Sequence, residues 1–326
     1  MIKKNFILLA GLIAVLLIVT TAYFVRNESQ ESLEGLKVAA TIFPIADIAK
    51  NIGGDKIDVV NMVPPGASPH TFEVTSGQVK NLQGTRIIFS IGYDLDDWIV
   101  GIQDILPDAE IENVSKGVEL RSFEESGEAG PGSAGEEEHE HHEDGEEDEE
   151  EDHRHEHGEI DPHYWLSVKN AKIIAINISE QLQELDPENS EYYQANTVDY
   201  IRKLNELDIQ TEDLFSDISS NKIMTMHNAW SYFAKDYGLE VVATFEPFPG
   251  REPTAKYLVD LSKEAKEHSL TTIFSEPQLS NQVLIPFLQD MDMNLSVLDP
   301  IGGLEERDTY IKLMQYNSEV IHEELK

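Results

Sequence analysis

Two α/β lobes with mostly parallel sheets, joined by a long helix, are what this sequence predicts, and three observations carry the prediction. Strand-like apolar runs alternate with helix-like segments from Leu36 to Gly117, and a second alternating set fills residues 220–326. Between them lies an amphipathic stretch too long to pack inside one small lobe. The length of 326 residues agrees, because a single core stops growing near ~250–300 residues.

In the first lobe, residues 36–185, LKVAATIFPIADIAKNIGG reads as a buried strand running into a helix that stops at Gly53-Gly54. DKIDVVNMVPPG gives a second strand, ended by Pro64, Pro65 and Gly66. SGQVKNLQGTRIIFSIG is a short helix, a turn at Gly84 and a third strand; DLDDWIVGIQDIL is helical, and AEIENVSKG is strand and turn. SVKNAKIIAINISEQLQEL forms an amphipathic helix. The connecting helix occupies residues 186–219, with Asp186-Pro187 at its start and Tyr193, Tyr200, Leu204, Leu207 and Leu214 recurring at threes, fours and sevens. About 28 helical residues would span about 42 Å, the length of a strut between lobes. The second lobe then reads NKIMTMH (strand), NAWSYFAKDYG (helix), LEVVATFE (strand), TAKYLVDLSKEAKEHS (helix), LTTIFSE (strand), SNQVLIPFLQDMD (helix), LSVLDP (strand) and a last helix, DTYIKLMQYNSEVIHEEL.

Charge narrows the partners. The net charge is −38, and residues 124–158 alone hold 17 Asp and Glu against the single Arg154. The rest of the chain is still acidic, so nucleic-acid phosphates would be repelled and cations are the natural partners. With no cysteine, disulfides, thiolate zinc sites, iron–sulfur clusters and cysteine lipidation are all excluded.

Residues 1–26 predict a membrane anchor or signal segment. Lys3 and Lys4 precede Phe6–Val25, 20 residues without a charge, enough to cross about 30 Å of hydrocarbon with the lysines on the cytoplasmic side. The apolar run is longer than the ~7–15 residues of a usual signal peptide, which favours an uncleaved anchor over a secreted form. The polar tether 27–35 would then hold the body outside the membrane.

Chemistry concentrates on histidine. Six of the eleven, His139, His141, His142, His153, His155 and His157, fall in the acidic segment 124–159. With no apolar residues to bury, that segment predicts a disordered loop with weak metal affinity. His268 and His322 lie among charges on expected helix surfaces, where a solvated face is the simple reading. The other three share a placement: His70 in VPPGASPHTFE, His163 in DPHYWLS and His227 in IMTMHNAW each sit at the end of a strand or the start of a helix. Loops beyond the carboxyl ends of strands are where α/β sheets collect ligands. Glu276 ends TTIFSE and Asp299 ends LSVLDP. Each acid could cap the following turn, or one could complete a four-coordinate N/O set with three imidazoles, a set that suits zinc.

VPPGASPHTFE, DPHYWLS, MTMHNAWSYFAKDYGLE, FSEPQLS and VLDPIGG, in this order and with a His-rich acidic insert before DPHYW, resemble the zinc-type solute-binding proteins of metal ABC transporters, the cluster A-I or zinc-uptake family. The resemblance runs from about Leu36 to Lys326. It implies two lobes joined by a rigid helix with metal held in the cleft between them, His70 and His163 coming from the first lobe and His227 from the second. Asp299 matches the acidic ligand position, and Glu276 a partner that orients an imidazole or replaces that ligand. Manganese-type relatives tend to carry Glu where this chain has His227, so the set implied here is zinc-type. The departure is at the N-terminus, where many relatives carry a lipidated cysteine.

The expected function is therefore extracytoplasmic capture of Zn2+, by a monomer, and its delivery to an ABC permease with its ATPase. The competing expectations are a metal-binding surface adhesin or zinc buffer without transport, a manganese- or iron-type carrier, and a zinc hydrolase with Glu276 as base. No HExxH helix supports the last. The acidic segment, ending just before His163, would hang beside the cleft and collect cations for it.

Overall fold

Among the described residues eight strands form two four-stranded sheets, and every pairing within these sheets is parallel. The computed structural model describes residues 35–123, 160–246 and 253–326. The expected anchor at 1–26, the tether up to residue 34 and the acidic segment 124–159 lie outside the described residues. Among the described residues no helix is long and apolar enough to cross a membrane.

The first sheet has the order β2-β1-β3-β4, built from β1 (Leu36–Ala40), β2 (Ile57–Asn61), β3 (Ile87–Ser90) and β4 (Glu110–Asn113). The helices α1 (Phe43–Gly53), α2 (Ser76–Asn81) and α3 (Val100–Gln103) lie between these strands in sequence, and α4 (Val168–Leu185) follows them. The second sheet repeats the order as β6-β5-β7-β8, from β5 (Lys222–Thr225), β6 (Glu240–Thr244), β7 (Thr272–Ser275) and β8 (Asn294–Val297). Its helices are α6 (Ser231–Tyr237), α7 (Ala255–Glu267), α8 (Ile285–Met291) and α9 (Tyr310–Leu325). The all-buried strands IIFS and TIFS are central in their sheets, which is why they read as continuous rather than alternating apolar runs.

Two helices are shorter than the sequence suggests. The DLDDWIVGIQDIL region makes a 3-10 turn at Asp97–Ile99 and the single α turn of α3. Tyr93 and Asp94 take positive φ just before it, and Ile99, Ile102 and Leu106 already bury its apolar face against Ile88. In SNQVLIPFLQDMD a 3-10 turn at Asn281–Val283 precedes α8, which has Pro286 in its first turn. Lacking an N–H, proline starts a helix more readily than it continues one.

The long helix α5 (Ser190–Leu214) does link the lobes, but not as an isolated strut. Tyr193, Tyr200, Leu204 and Leu207 are buried in one apolar cluster with Ile45, Ile48 and Ile52 of α1, Ile174 and Ile178 of α4, and Met314 and Ile321 of α9. Trp165, Trp230, Phe233 and Tyr310 belong to the same cluster. The two lobes thus share a continuous core, and smaller clusters cover the far face of each sheet. Separating the lobes would expose much of that apolar surface to water, at ~25 cal/mol per Å².

Candidate metal centre

Sheet topology explains why residues far apart in sequence meet. In an open parallel sheet, strand order reverses at one pair, and the loops leaving that pair diverge to leave a crevice at the carboxyl ends. In the second sheet this pair is β5 and β7, with Thr225 in register with Phe274. The residues just beyond are His227 and Glu276, and Oε1 of Glu276 stands 2.7 Å from Nδ1 of His227. The first lobe brings the other two imidazoles. His70 sits in a 3-10 turn, Pro69–Thr71, held where Trp98 Nε1 donates to Pro69 O at 3.2 Å. His163 precedes the 3-10 turn Tyr164–Leu166, and Ser167 then caps α4 by accepting from Asn170 N at 3.1 Å.

The three imidazoles converge through the same nitrogen. Nε2 of His70 and Nε2 of His163 are 3.1 Å apart, and Nε2 of His227 is 3.4 Å from that of His163. Among the described residues, these three are the side chains whose donor atoms cluster as metal ligands would. For a tetrahedral zinc with Zn–N of about 2.0–2.1 Å, the ligand–ligand edge is about 3.3–3.4 Å. The shorter edge also suits six-coordination, so donor chemistry rather than spacing carries the choice of metal. All-imidazole donors favour zinc over the harder manganese.

Carboxylates fix two of the rings. Nδ1 of His163 is 2.8 Å from Oδ1 of Asp161 in a hydrogen bond, and Oε1 of Glu276 is 2.7 Å from Nδ1 of His227 in a close contact off hydrogen-bond alignment. A Nδ1–H directed at a carboxylate leaves the Nε2 lone pair for metal. His163 and His227 are buried and His70 is partly buried. Burial, and then the neighbouring His163 and His227, hold the His70 imidazole well below its ordinary pKa. Burial works the same way on His227 but is outweighed by Glu276, with Asp161 and Glu246 behind it, so its pKa is raised. A metal ion entering beside His227 therefore competes with a proton.

Asp299 is not brought into the cluster. Its Oδ1 accepts from Gln278 Nε2 at 2.8 Å, Gly302 N at 2.9 Å and Ile301 N at 3.1 Å, and its Oδ2 lies 3.4 Å from Arg307 Nη1. It is fully buried, with Oδ1 committed to these donors, and is not among the clustered ligand atoms. Glu276 and Gln278, by contrast, line the small pocket at the three histidines, with Ser68, Trp165 and Leu279. Asp161 and Glu246 are the charges that sequence reasoning missed. Glu246 follows a strand end as Glu276 does, so the same positional rule could have found it. Asp161 was legible only as the residue two before His163. His268 and His322 lie partly exposed away from the cluster, where His268 Nδ1 is 2.7 Å from Lys222 Nζ and His322 Nε2 is 2.8 Å from Asp217 Oδ1. The six histidines between 139 and 157 lie outside the described residues.

Two lobes with parallel sheets, a shared core and a three-histidine cluster between them define a metal-binding protein of the solute-capturing class. The chain belongs to the zinc-uptake family, whose model, described as zinc-uptake complex component A, periplasmic, matches residues 38–324. It is 32% identical over 307 residues to the high-affinity zinc uptake system protein ZnuA of Bacillus subtilis, covering 92% of this chain and 91% of that one. It is 30% identical over 321 residues to the manganese ABC transporter substrate-binding lipoprotein PsaA of Streptococcus mitis, covering 94% and 95%. Against the zinc-binding protein AdcA of Streptococcus pyogenes the identity is 28% over 326 residues, 98% of this chain but 61% of the longer relative. Among solved structures, a zinc-bound mutant variant of AdcAII of Streptococcus pneumoniae superposes with a TM-score of 0.73 at 25% identity, covering 90% of this chain and 99% of that one. These are named as metal-binding and transport proteins rather than enzymes.

Proposed function

We propose that this protein captures Zn2+ outside the cytoplasmic membrane, on His70, His163 and His227, and delivers it to an ABC permease. The observation that carries the reading is the convergence of three Nε2 atoms, two of them on rings oriented by buried carboxylates. The fourth position is a water facing the pocket lined by Glu276 and Gln278. Asp299 acts instead as the brace of the loop that walls this pocket. The names of the zinc relatives support zinc, and the manganese name of one relative sets the contrast to be tested. The apolar run at 6–25 supports a body held at the outer face of the cytoplasmic membrane, and the sequence has no cysteine to lipidate.

The acidic segment supports a collecting role. The described residues on either side of it are tied together by the antiparallel bridge between Ser122 and Ile160 and by Asp161 N donating to Arg121 O at 2.8 Å. The segment is therefore inserted in the chain at a closed base, three residues before His163.

Competition of zinc against a chelator of known affinity tests the reading. One tight site is expected in the full chain, lost in His163→Ala, with manganese binding at least a hundredfold more weakly. Removing residues 124–158 should abolish additional weak sites and leave the tight one. Loss of the tight site on that deletion, or manganese binding as tightly as zinc, would overturn the proposal.

A further inference from the structure

Asp161 faces two ways. One oxygen, Oδ1, accepts from the main-chain N–H of His163 at 2.9 Å and meets its Nδ1 at 2.8 Å. The other, Oδ2, accepts from the hydroxyl of Ser231, the first residue of α6 in the second lobe. The main chain closes the arrangement into a ring. Tyr232 donates its hydroxyl to Asp161 O at 3.0 Å and accepts from Arg121 N at 2.9 Å, while Arg121 Nη1 donates to Ser231 O at 2.8 Å. Arg121 and Asp161 belong to the first lobe, Ser231 and Tyr232 to the second. Asp161 and Ser231 are buried, so water does not compete for these bonds.

A carboxylate is a rigid planar fork, so a group bound to one oxygen feels displacement of a group bound to the other. A small shift of Ser231 with α6 tilts the Asp161 carboxylate. The tilt turns the His163 ring through its Nδ1–H, and Nε2, on the far side of the ring, moves with it. We propose that Asp161 is a positioning residue through which the inter-lobe contact at Ser231 sets the ligand geometry of His163, coupling metal affinity to lobe–lobe contact. The proposal rests on His163 being a zinc ligand. It gives the shared-core architecture a route for metal release without wide hinge opening: anything that displaces α6 by a fraction of an ångström loosens one ligand. Coupling is reciprocal, so zinc tightens the Ser231 contact by the factor by which that contact tightens zinc.

A double-mutant cycle on the full chain tests this, with zinc affinity read by chelator competition and folding checked by circular dichroism. Ser231 is not among the clustered ligands and does not line the pocket at the three histidines, yet Ser231→Ala is expected to weaken zinc roughly 3–10-fold. Asp161→Ala should weaken it roughly 10–100-fold, the range for a partner that orients a ligand. The double variant should bind no more weakly than Asp161→Ala alone. Asp161→Asn, which keeps an acceptor for His163 and a polar group toward Ser231, should fall between wild type and Asp161→Ala, and it carries the cycle if the alanine variant fails to fold. Wild-type affinity in Ser231→Ala, or a loss that persists undiminished once Asp161 is replaced, would overturn the proposal. Zinc bound as tightly by His163→Ala as by wild type would instead sink the ligand reading on which it rests.

Discussion

The two sheets share one strand order, yet they use the crevice at their switch point differently. In the second lobe the crevice between β5 and β7 delivers His227 and Glu276 to the metal centre. In the first lobe the matching crevice, beyond β1 and β3, is filled. Asp96 folds back to accept from Ile91 N and Gly92 N, both at 2.7 Å, and the buried Tyr164 hydroxyl donates to Ile91 O at 3.1 Å. The first lobe reaches the three-histidine cluster instead through His70, on the loop after β2, and through His163, which follows β4 in the chain and precedes the 3-10 turn Tyr164–Leu166. Topology thus places a crevice in each lobe, but side-chain chemistry decides whether it becomes a site or a plug.

The largest effect that tests this contrast is His227→Ala. Removing one of three imidazoles should lower zinc affinity about a thousandfold, about 4 kcal/mol, with little change in apo folding seen by circular dichroism. Near-wild-type zinc binding would mean that the second crevice is not the site.

The first crevice should respond in the opposite way. Asp96→Ala leaves two main-chain N–H groups without their acceptor, at about 1–3 kcal/mol of lost stability, read as a lower urea midpoint. Zinc affinity of the folded fraction should stay near wild type. A zinc defect without a stability defect would erase the distinction between plug and site.

Glu276→Gln sharpens the comparison through pH. Losing the carboxylate should cost about tenfold in zinc affinity at neutral pH. Because Glu276 raises the His227 pKa against burial, the variant's His227 gives up its proton more readily. Zinc binding should therefore weaken at higher pH in wild type than in the variant as acid is added. The linkage has a definite sign for the apo protein: a raised histidine pKa contributes stability that is fully present below the unfolded value and lost as pH rises through the folded one. Titrations of zinc affinity from pH 5 to 8 that run parallel would count against Glu276 as the cause.

Much of the fold was legible in the sequence because parallel strands buried on both faces, such as IIFS and TIFS, read as plain apolar runs between helical patterns. The three histidines were legible because strand ends and helix starts are where open sheets collect ligands. Position alone could not separate Glu276 from Asp299, since both acids follow strands and precede proline or its turn. The structure separates them by their partners. Asp299 accepts from the amides of Ile301 and Gly302, the local turn chemistry its place before Pro300 suggested, whereas Glu276 has no such local bond and faces His227. The long helix was legible in length and periodicity but not in setting, because two of the apolar faces that cover it, those of α1 and α9, come from opposite ends of the folded chain, while only α4 is its neighbour in sequence.

The smallest expected effect concerns the segment that ties His163 to the second lobe. Trp165 Nε1 donates to Pro300 O at 2.8 Å, and Tyr310 donates its hydroxyl to Trp165 O at 2.8 Å, so the residues after His163 are held from across the cleft. Trp165→Phe keeps an aromatic ring in the shared core but removes the bond to Pro300, leaving a buried carbonyl short of a donor. That should cost about 1 kcal/mol of stability, lowering the thermal midpoint by a few degrees. Zinc should then raise the midpoint by less than it does in wild type, because part of its binding energy goes to re-ordering the segment that carries His163. An unchanged zinc-induced shift would show that the Trp165 bond belongs to the core alone, and that the ligand is positioned before the lobes meet.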